Sequence, residues 1–311
     1  MYADQTILHT SEPDCISKFL DYSPIEHPVV AQIGGNDPES ITAAAVICEK
    51  AGYDQVNLNC GCPSPKVAGK GCFGARLMLD PHHVAAIVAA AKQSLTIPFT
   101  VKCRIGVDEQ DSYKDLHHFI STLSNVGVDH FLINARKALL NGISPAQNRS
   151  VPPLKYEYVY KLVQDFPNIN ISINGGITTF DEVDAHLQNG IYSAMIGRQA
   201  CNSPWMFSDA DRRFFGSPNV GLSRREVLER YSDYAEDYIN SSSLSSSILK
   251  IKMLKPVNNL FHCERNGNVY RQTLEKLSRR NETTVSDCIM GAMTTMSDDA
   301  LDAKPPLMDD K

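Results

Sequence analysis

Between residues 29 and 207 short apolar strands alternate with longer amphipathic segments, and nearly every strand ends in a polar side chain. Six strands are readable: VVAQIGG (29–35), QVNLNCG (55–61), FTVKCRIG (99–106), HFLINAR (130–136), NISINGG (170–176) and SAMIGR (193–198). Such alternation requires a parallel sheet covered by helices. Asp37-Pro38, Asp80-Pro81 and Ser203-Pro204 each set a capping acceptor before a proline suited to a first helical turn. The strand ends carry Gln32, Asn57, Asn59, Lys102, Arg104, Asn134, Arg136, Asn174 and Arg198. Polar ends on so many strands suit a barrel, where all of them meet at one mouth; an open sheet would gather them at a single switch point. The expected fold is therefore α/β, a (β/α)8 TIM-barrel type. The opening MYADQTILHT has room only for the tail of one more strand, so the barrel is expected to be incomplete, with its first strand or two missing.

After residue 215 the period becomes helical, in SRREVLERYSDYAEDYI, ILKIKMLKPVNNLFHC and NVYRQTLEKLS, interrupted by SSSLSSS. This predicts a barrel domain over 1–214, a small all-helical domain over 215–292 and a disordered acidic tail over 293–311. The chain carries −6 overall, yet 246–281 holds eight basic residues against two acidic ones. That window reads either as a solvated helical face or as a footprint for a polyanion. No apolar run is long enough for a membrane span, and no leader is visible. Nine cysteines, an odd number in a long chain, point to a reducing compartment rather than a disulfide framework.

Three features of the strand ends suggest chemistry. Gly175-Gly176 and Gly197-Arg198 close adjacent strands, the position where barrels commonly hold a phosphate; the plainer alternative is a pair of tight turns. Lys102, at the end of an apolar strand, needs an anionic partner if it points into the mouth, and a reduced flavin is one such partner. Cys62 follows Gly61, precedes Pro63 and opens a loop bearing Lys66 and Lys70, which places a thiol to donate a proton to a substrate. Cys60, Cys62, Cys72 and Cys103 lack the spacing of a structural zinc site, so no metal is expected.

VNLNCGCPSPKVAGKGCFGARLM, FTVKCRIG, NARKALLNGISPAQNRSVPPLKYEYVY, INGGI and MIGRQA with Pro204-Trp205 resemble the tRNA-dihydrouridine synthases, in particular the branch acting on uridines 20 and 20a. The resemblance is dense over residues 1–210 and fades in the helical part. It implies an FMN enzyme with a tRNA-binding helical domain, taking hydride from NADPH and reducing a D-loop uracil, with Cys62 as the acid for C5. It further implies FMN contacts from Gln32, Lys102, Asn134, Asn174, Gly175, Gly176, Gly197 and Arg198. Substrate contacts are expected from Asn59, Arg104 and Arg136, and from Lys250, Lys252 and Lys255 in the basic window. Cys60 is read as packing.

The sequence departs from the family pattern in two places. Asn134 stands where the family usually has histidine, which removes a titratable contact to FMN. The family's first strand, with its Pro-Met flavin contact, and most of its second are missing. The expected protein is a shortened monomer, cytoplasmic or organellar. The alternative is a flavin-free, inactive RNA-binding remnant, and a third reading is a barrel that reduces a small unsaturated molecule.

Overall fold

The computed structural model describes residues 1–9, 19–242 and 246–307, with backbone only at 246 and 247. Two compact units divide the chain, Met1–Ile196 and Gly197–Lys311.

In the first unit seven strands form one sheet: β1 (Tyr2–Ala3), β2 (Val30–Gly34), β3 (Gln55–Cys60), β4 (Phe99–Arg104), β5 (His130–Asn134), β6 (Asn170–Asn174) and β7 (Ser193–Met195). All six expected strands are present, each stopping one to three residues short because its last residues turn into the following loop. The short β1 pairs Tyr2 with Ile33 and Ala3 with Gly34. Every pairing is parallel and the order is sequential from β1 to β7. A doubly wound sheet would reverse direction part-way, whereas this sheet advances one way throughout, which is the barrel-type winding.

The register sets the polar ends at a common height. Asn59 lies opposite Lys102, and Arg104, Asn134 and Asn174 follow one another across β4, β5 and β6. Beneath them Ile33, Val56, Leu58, Val101, Phe131, Ile133 and Ile173 are fully or nearly fully buried. Branched and aromatic side chains pack well on a pleated surface covered by helices.

The helices of this unit are α1 (Asp4–Leu8), α2 (Pro38–Lys50), α3 (Pro81–Ser94), α4 (Tyr113–Ser124), α5 (Tyr156–Asp165) and α6 (Phe180–Gln188). In α2 the buried positions Ile41, Ala44, Ala45 and Cys48 keep the three-four spacing of a single face, and small alanines let it lie close to its neighbours. Asp37 and Asp80 cap as expected, accepting from Ser40 N and His83 N. Ser203 does not cap through its side chain; Pro204–Asp209 forms a 3₁₀ turn instead.

The second unit contains α7 (Arg198–Asn202), α8 (Ala210–Phe215), α9 (Arg224–Ser241), α10 (Ser246–Leu254), α11 (Gly267–Ser278), α12 (Val285–Met293) and α13 (Asp298–Asp302). Helix α10 ends two residues before Pro256, since the residue preceding a proline is driven out of helical conformation. Leu228, Ala235, Phe261, Tyr270, Cys288, Ile289 and Leu301 belong to one apolar core. Arg224 is buried beside that core. It donates to Glu264 Oε1 (2.8 Å), Leu260 O and Ala300 O, and stacks over Trp205 with 4.5 Å to the ring centre.

The acidic stretch from 293 onward is not a free tail as far as it is described. Leu301 is buried, and Arg225 binds Asp298 and Asp302, each at 2.6 Å. Composition suggested disorder, but one leucine and two aspartates have partners on α9. Residues 308–311 of the expected tail lie outside the described residues. Leu301→Ala is therefore expected to destabilise this unit by about 2–4 kcal/mol in chemical denaturation, the cost of an emptied core position.

Candidate active site

Two hydrogen-bonded groups stand at the strand ends of the first unit. The first spans β2, β3 and β4. Gln32 Nε2 donates to Asn57 Oδ1 at 2.8 Å, and Asn57 Nδ2 donates to Thr100 Oγ1 at 2.9 Å. Asn59 Nδ2 donates to Gln32 Oε1 at 2.9 Å. Asn59 Oδ1 accepts from the backbone N–H of Gly61 (3.1 Å) and of Cys62 (2.9 Å). A side chain that caps two successive amides fixes the turn that follows it, so Asn59, expected as a substrate contact, holds the backbone that carries Cys62.

The second group spans β4, β5 and β6. Asn174 Oδ1 accepts from Lys102 Nζ (3.2 Å) and from Asn134 Nδ2 (2.7 Å), while Asn174 Nδ2 donates to Met195 O on β7 at 2.7 Å. Two expected cofactor contacts, Lys102 and Asn134, thus converge on the amide of a third, Asn174. Burial pushes the Lys102 ammonium down to about 8. Asn174 is a neutral partner, and among the described residues no carboxylate pairs with this cation to offset its burial. The site therefore fits an anionic ligand.

The glycine turn after β6 is more crowded than expected. Gly175 and Gly176 adopt φ of +112° and +79°, conformations that need glycine. A Cβ on Gly176 would lie 2.7 Å from Leu154 and 2.8 Å from the Tyr156 hydroxyl, which donates to Gly175 O at 2.6 Å. Gly197 and Arg198 fall in the second unit, where Gly197 precedes α7, Arg198 is its first residue, and both are exposed.

The thiols separate clearly. Cys60 and Cys103 face one another across β3 and β4 and are fully buried. Burial pushes Cys60 well up and Cys103 up to about 12, which leaves both as inert packing groups, as expected of Cys60. Cys62 is half-buried on its turn, and the turn closes where Ala75 N donates to Cys62 O at 2.9 Å. The eight described cysteines are all unpaired; Cys15 lies outside the described residues.

The basic candidates also divide. Arg104 is buried, with 6% of its surface exposed, and donates to the backbone carbonyls of Gly61, Lys137 and Asn148. Its assignment as a substrate contact is corrected, because the guanidinium is buried and its hydrogen bonds among the described residues go to loop backbone. Arg136 donates to Ser150 O (3.3 Å) and Pro152 O, holding the long loop before α5. Lys250 is corrected as well: its ammonium is buried and donates to Arg280 O (2.6 Å) and Thr283 O (3.0 Å). Lys252 and Lys255 remain exposed, together with Arg265, Lys276, Arg279 and Arg280.

Sequence reasoning missed Tyr156, Asn148 and the Asp111 pair. Asn148 is fully buried and closes its loop by exchanging two 2.8 Å bonds with the Leu139 backbone. Asp111 bridges Lys137 (3.1 Å) and Lys155 (3.5 Å). Asp111 and Asn148 lie in the loops after β4 and β5, and Tyr156 begins α5, so none of them falls in the periodic interior of an element. The one available signal was the density of Asn, Ser, Gly and Pro in the 141–153 loop.

A family model for dihydrouridine synthase matches residues 3–296. The chain belongs to the dihydrouridine synthase family. Among similar proteins, a tRNA-dihydrouridine(20/20a) synthase of Synechocystis is 40% identical over 274 residues, covering 88% of this chain and 79% of the relative. The protein of that name from Shewanella oneidensis is 47% identical over 221 residues, 71% of this chain and 65% of the relative. The one from Escherichia coli K12 is 43% identical over 233 residues, 75% and 67%. In this member of the family the half-buried Cys62 thiol stands on the turn just after β3, and the buried Lys102 lies on β4 opposite Asn59.

Proposed function

We propose that the chain reduces the 5,6 double bond of a D-loop uridine in tRNA, with NADPH as reductant and FMN as cofactor. The supporting observation is the fixed Cys62 turn on β3, next to the strand that carries Lys102, in a member of the dihydrouridine synthase family. When bound, FMN supplies hydride chemistry at the uracil C6. Lys102, Asn174, Asn134 and Gln32 are the residues that would hold it, and Lys102 would regain the charge partner that burial denies it. Cys62 gives its proton to C5, and Asn59 keeps the thiol in place through the backbone. A base must leave its stack for this chemistry, and an unpaired loop uridine does so at low cost.

The test is direct. Purified protein with NADPH and unmodified tRNA is expected to form dihydrouridine and to show flavin bands in its visible spectrum; a colourless, inactive protein that stays so when FMN is added would reject the proposal. The remnant reading draws on the packing of Leu154 and Tyr156 against the glycine turn, and predicts tRNA binding without those bands.

Exposed Lys252 and Lys255 are proposed to contact tRNA phosphates. Replacing both by Gln is expected to weaken tRNA binding equally for all sequences and to lower the salt slope by about 2. Lys250→Met is expected instead to lower the stability of the second unit, because it removes the ammonium that donates to the Arg280 and Thr283 carbonyls.

A further inference from the structure

One peptide unit carries the Cys62 thiol, and it is gripped at both ends. Its N–H, on Cys62, donates to Asn59 Oδ1 at 2.9 Å. Its carbonyl, on Gly61, accepts from Arg104 Nε at 2.9 Å. The same guanidinium reaches further, with Nη1 donating to Lys137 O and Asn148 O, both at 3.0 Å. Asn148 in turn closes the 139–148 loop on itself. Arg104 therefore ties the Cys62 turn to a second loop that belongs to a different strand.

Burying an arginine is costly, and burial pushes this one down to about 10, with the nearby Cys62 sulfur pulling it the other way. A neutral polar residue would meet one of these carbonyls at lower cost. A fork with several donors in fixed geometry meets three at once, and that is the property lysine lacks. Rotation of the Gly61–Cys62 peptide would swing the thiol, and the two grips oppose that rotation from both sides.

We propose that Arg104 is a positioning residue for the reduction: it clamps the Gly61–Cys62 peptide opposite Asn59 and couples the thiol's position to the 139–148 loop. The catalytic consequence rests on the function proposed above, whereas the clamp itself does not. In Arg104→Gln, amide exchange at Gly61 and Cys62 is expected to speed up by about tenfold or more. The kcat for tRNA reduction is expected to fall by about 10²-fold, with KM for tRNA within about threefold, the pattern of a misplaced group rather than lost binding. Arg104→Lys, which keeps the charge but not the fork, is expected to recover part of both effects. If Arg104→Gln does not fold, Arg104→Lys alone carries the test, with the same two readouts shifted in the same direction. A folded variant with unchanged exchange at Gly61 and Cys62 overturns the clamp. If the wild-type protein forms no dihydrouridine, the proposed function fails, and the exchange measurement still decides the clamp.

Discussion

Cys62→Ala is expected to lower dihydrouridine formation by about 10²–10⁴-fold, the range that a positioned proton donor contributes. The variant should otherwise be undisturbed. The turn is held by the backbone amides of Gly61 and Cys62, by the Gly61 carbonyl and by the bond from Ala75, none of which needs the sulfur. Flavin content and melting temperature should match the wild type, and single-turnover formation of dihydrouridine should be the property that changes. Cys60→Ala makes the contrast, because that thiol is fully enclosed; it should cost about 1 kcal/mol of stability and leave turnover intact. Undiminished turnover in Cys62→Ala would remove the proposed acid.

Lys102→Met is expected to act on stability and on cofactor binding in opposite directions. In the folded protein the ammonium titrates near 8, against its ordinary 10.5, because burial penalises the charge. Between those values the unfolded chain binds more protons, so stability rises as the pH rises from about 8 to about 10.5. Below about 8 the penalty is present in full, at roughly 3 kcal/mol. Methionine fills similar space without the charge. The flavin-free variant should therefore be more stable than the wild type at neutral pH, and its stability should lose this pH dependence. Affinity for reduced FMN should fall at least tenfold, since the cation that would face its anionic ring edge is gone. Denaturation midpoints across pH 7–10 and a flavin titration separate the two effects. A variant that is less stable at neutral pH would show that the lysine is not uncompensated.

The strands were legible because a sheet buried on both faces leaves apolar runs interrupted only where the chain emerges. The same logic located Lys102, Asn134 and Asn174, which the register brings to one amide. What the sequence does not contain is the direction of a polar side chain at such a place. Asn59, Arg104 and Lys250 are the right residue types for nucleic-acid contact, yet each spends its donors or acceptors on backbone a few to many residues away. The loops decide this, because a buried donor must be paired and the nearest unpaired carbonyl takes it. Distance along the chain hid the order of the acidic stretch in the same way: Arg225 and Asp302 are far apart in sequence and invisible to a local window.

The hydrogen-bond chain from the Thr100 hydroxyl through the amides of Asn57 and Gln32 to Asn59 has an architectural outcome. The proton-donating sulfur's address is set by three adjacent strands of the frame and not by the helical turn beyond it, Pro65–Lys70. Changes of charge in that segment are expected to leave the sulfur where it is. Substitutions at Asn57, which reaches Cys62 only through Gln32 and Asn59, should then disturb turnover more than substitutions at Lys66 or Lys70.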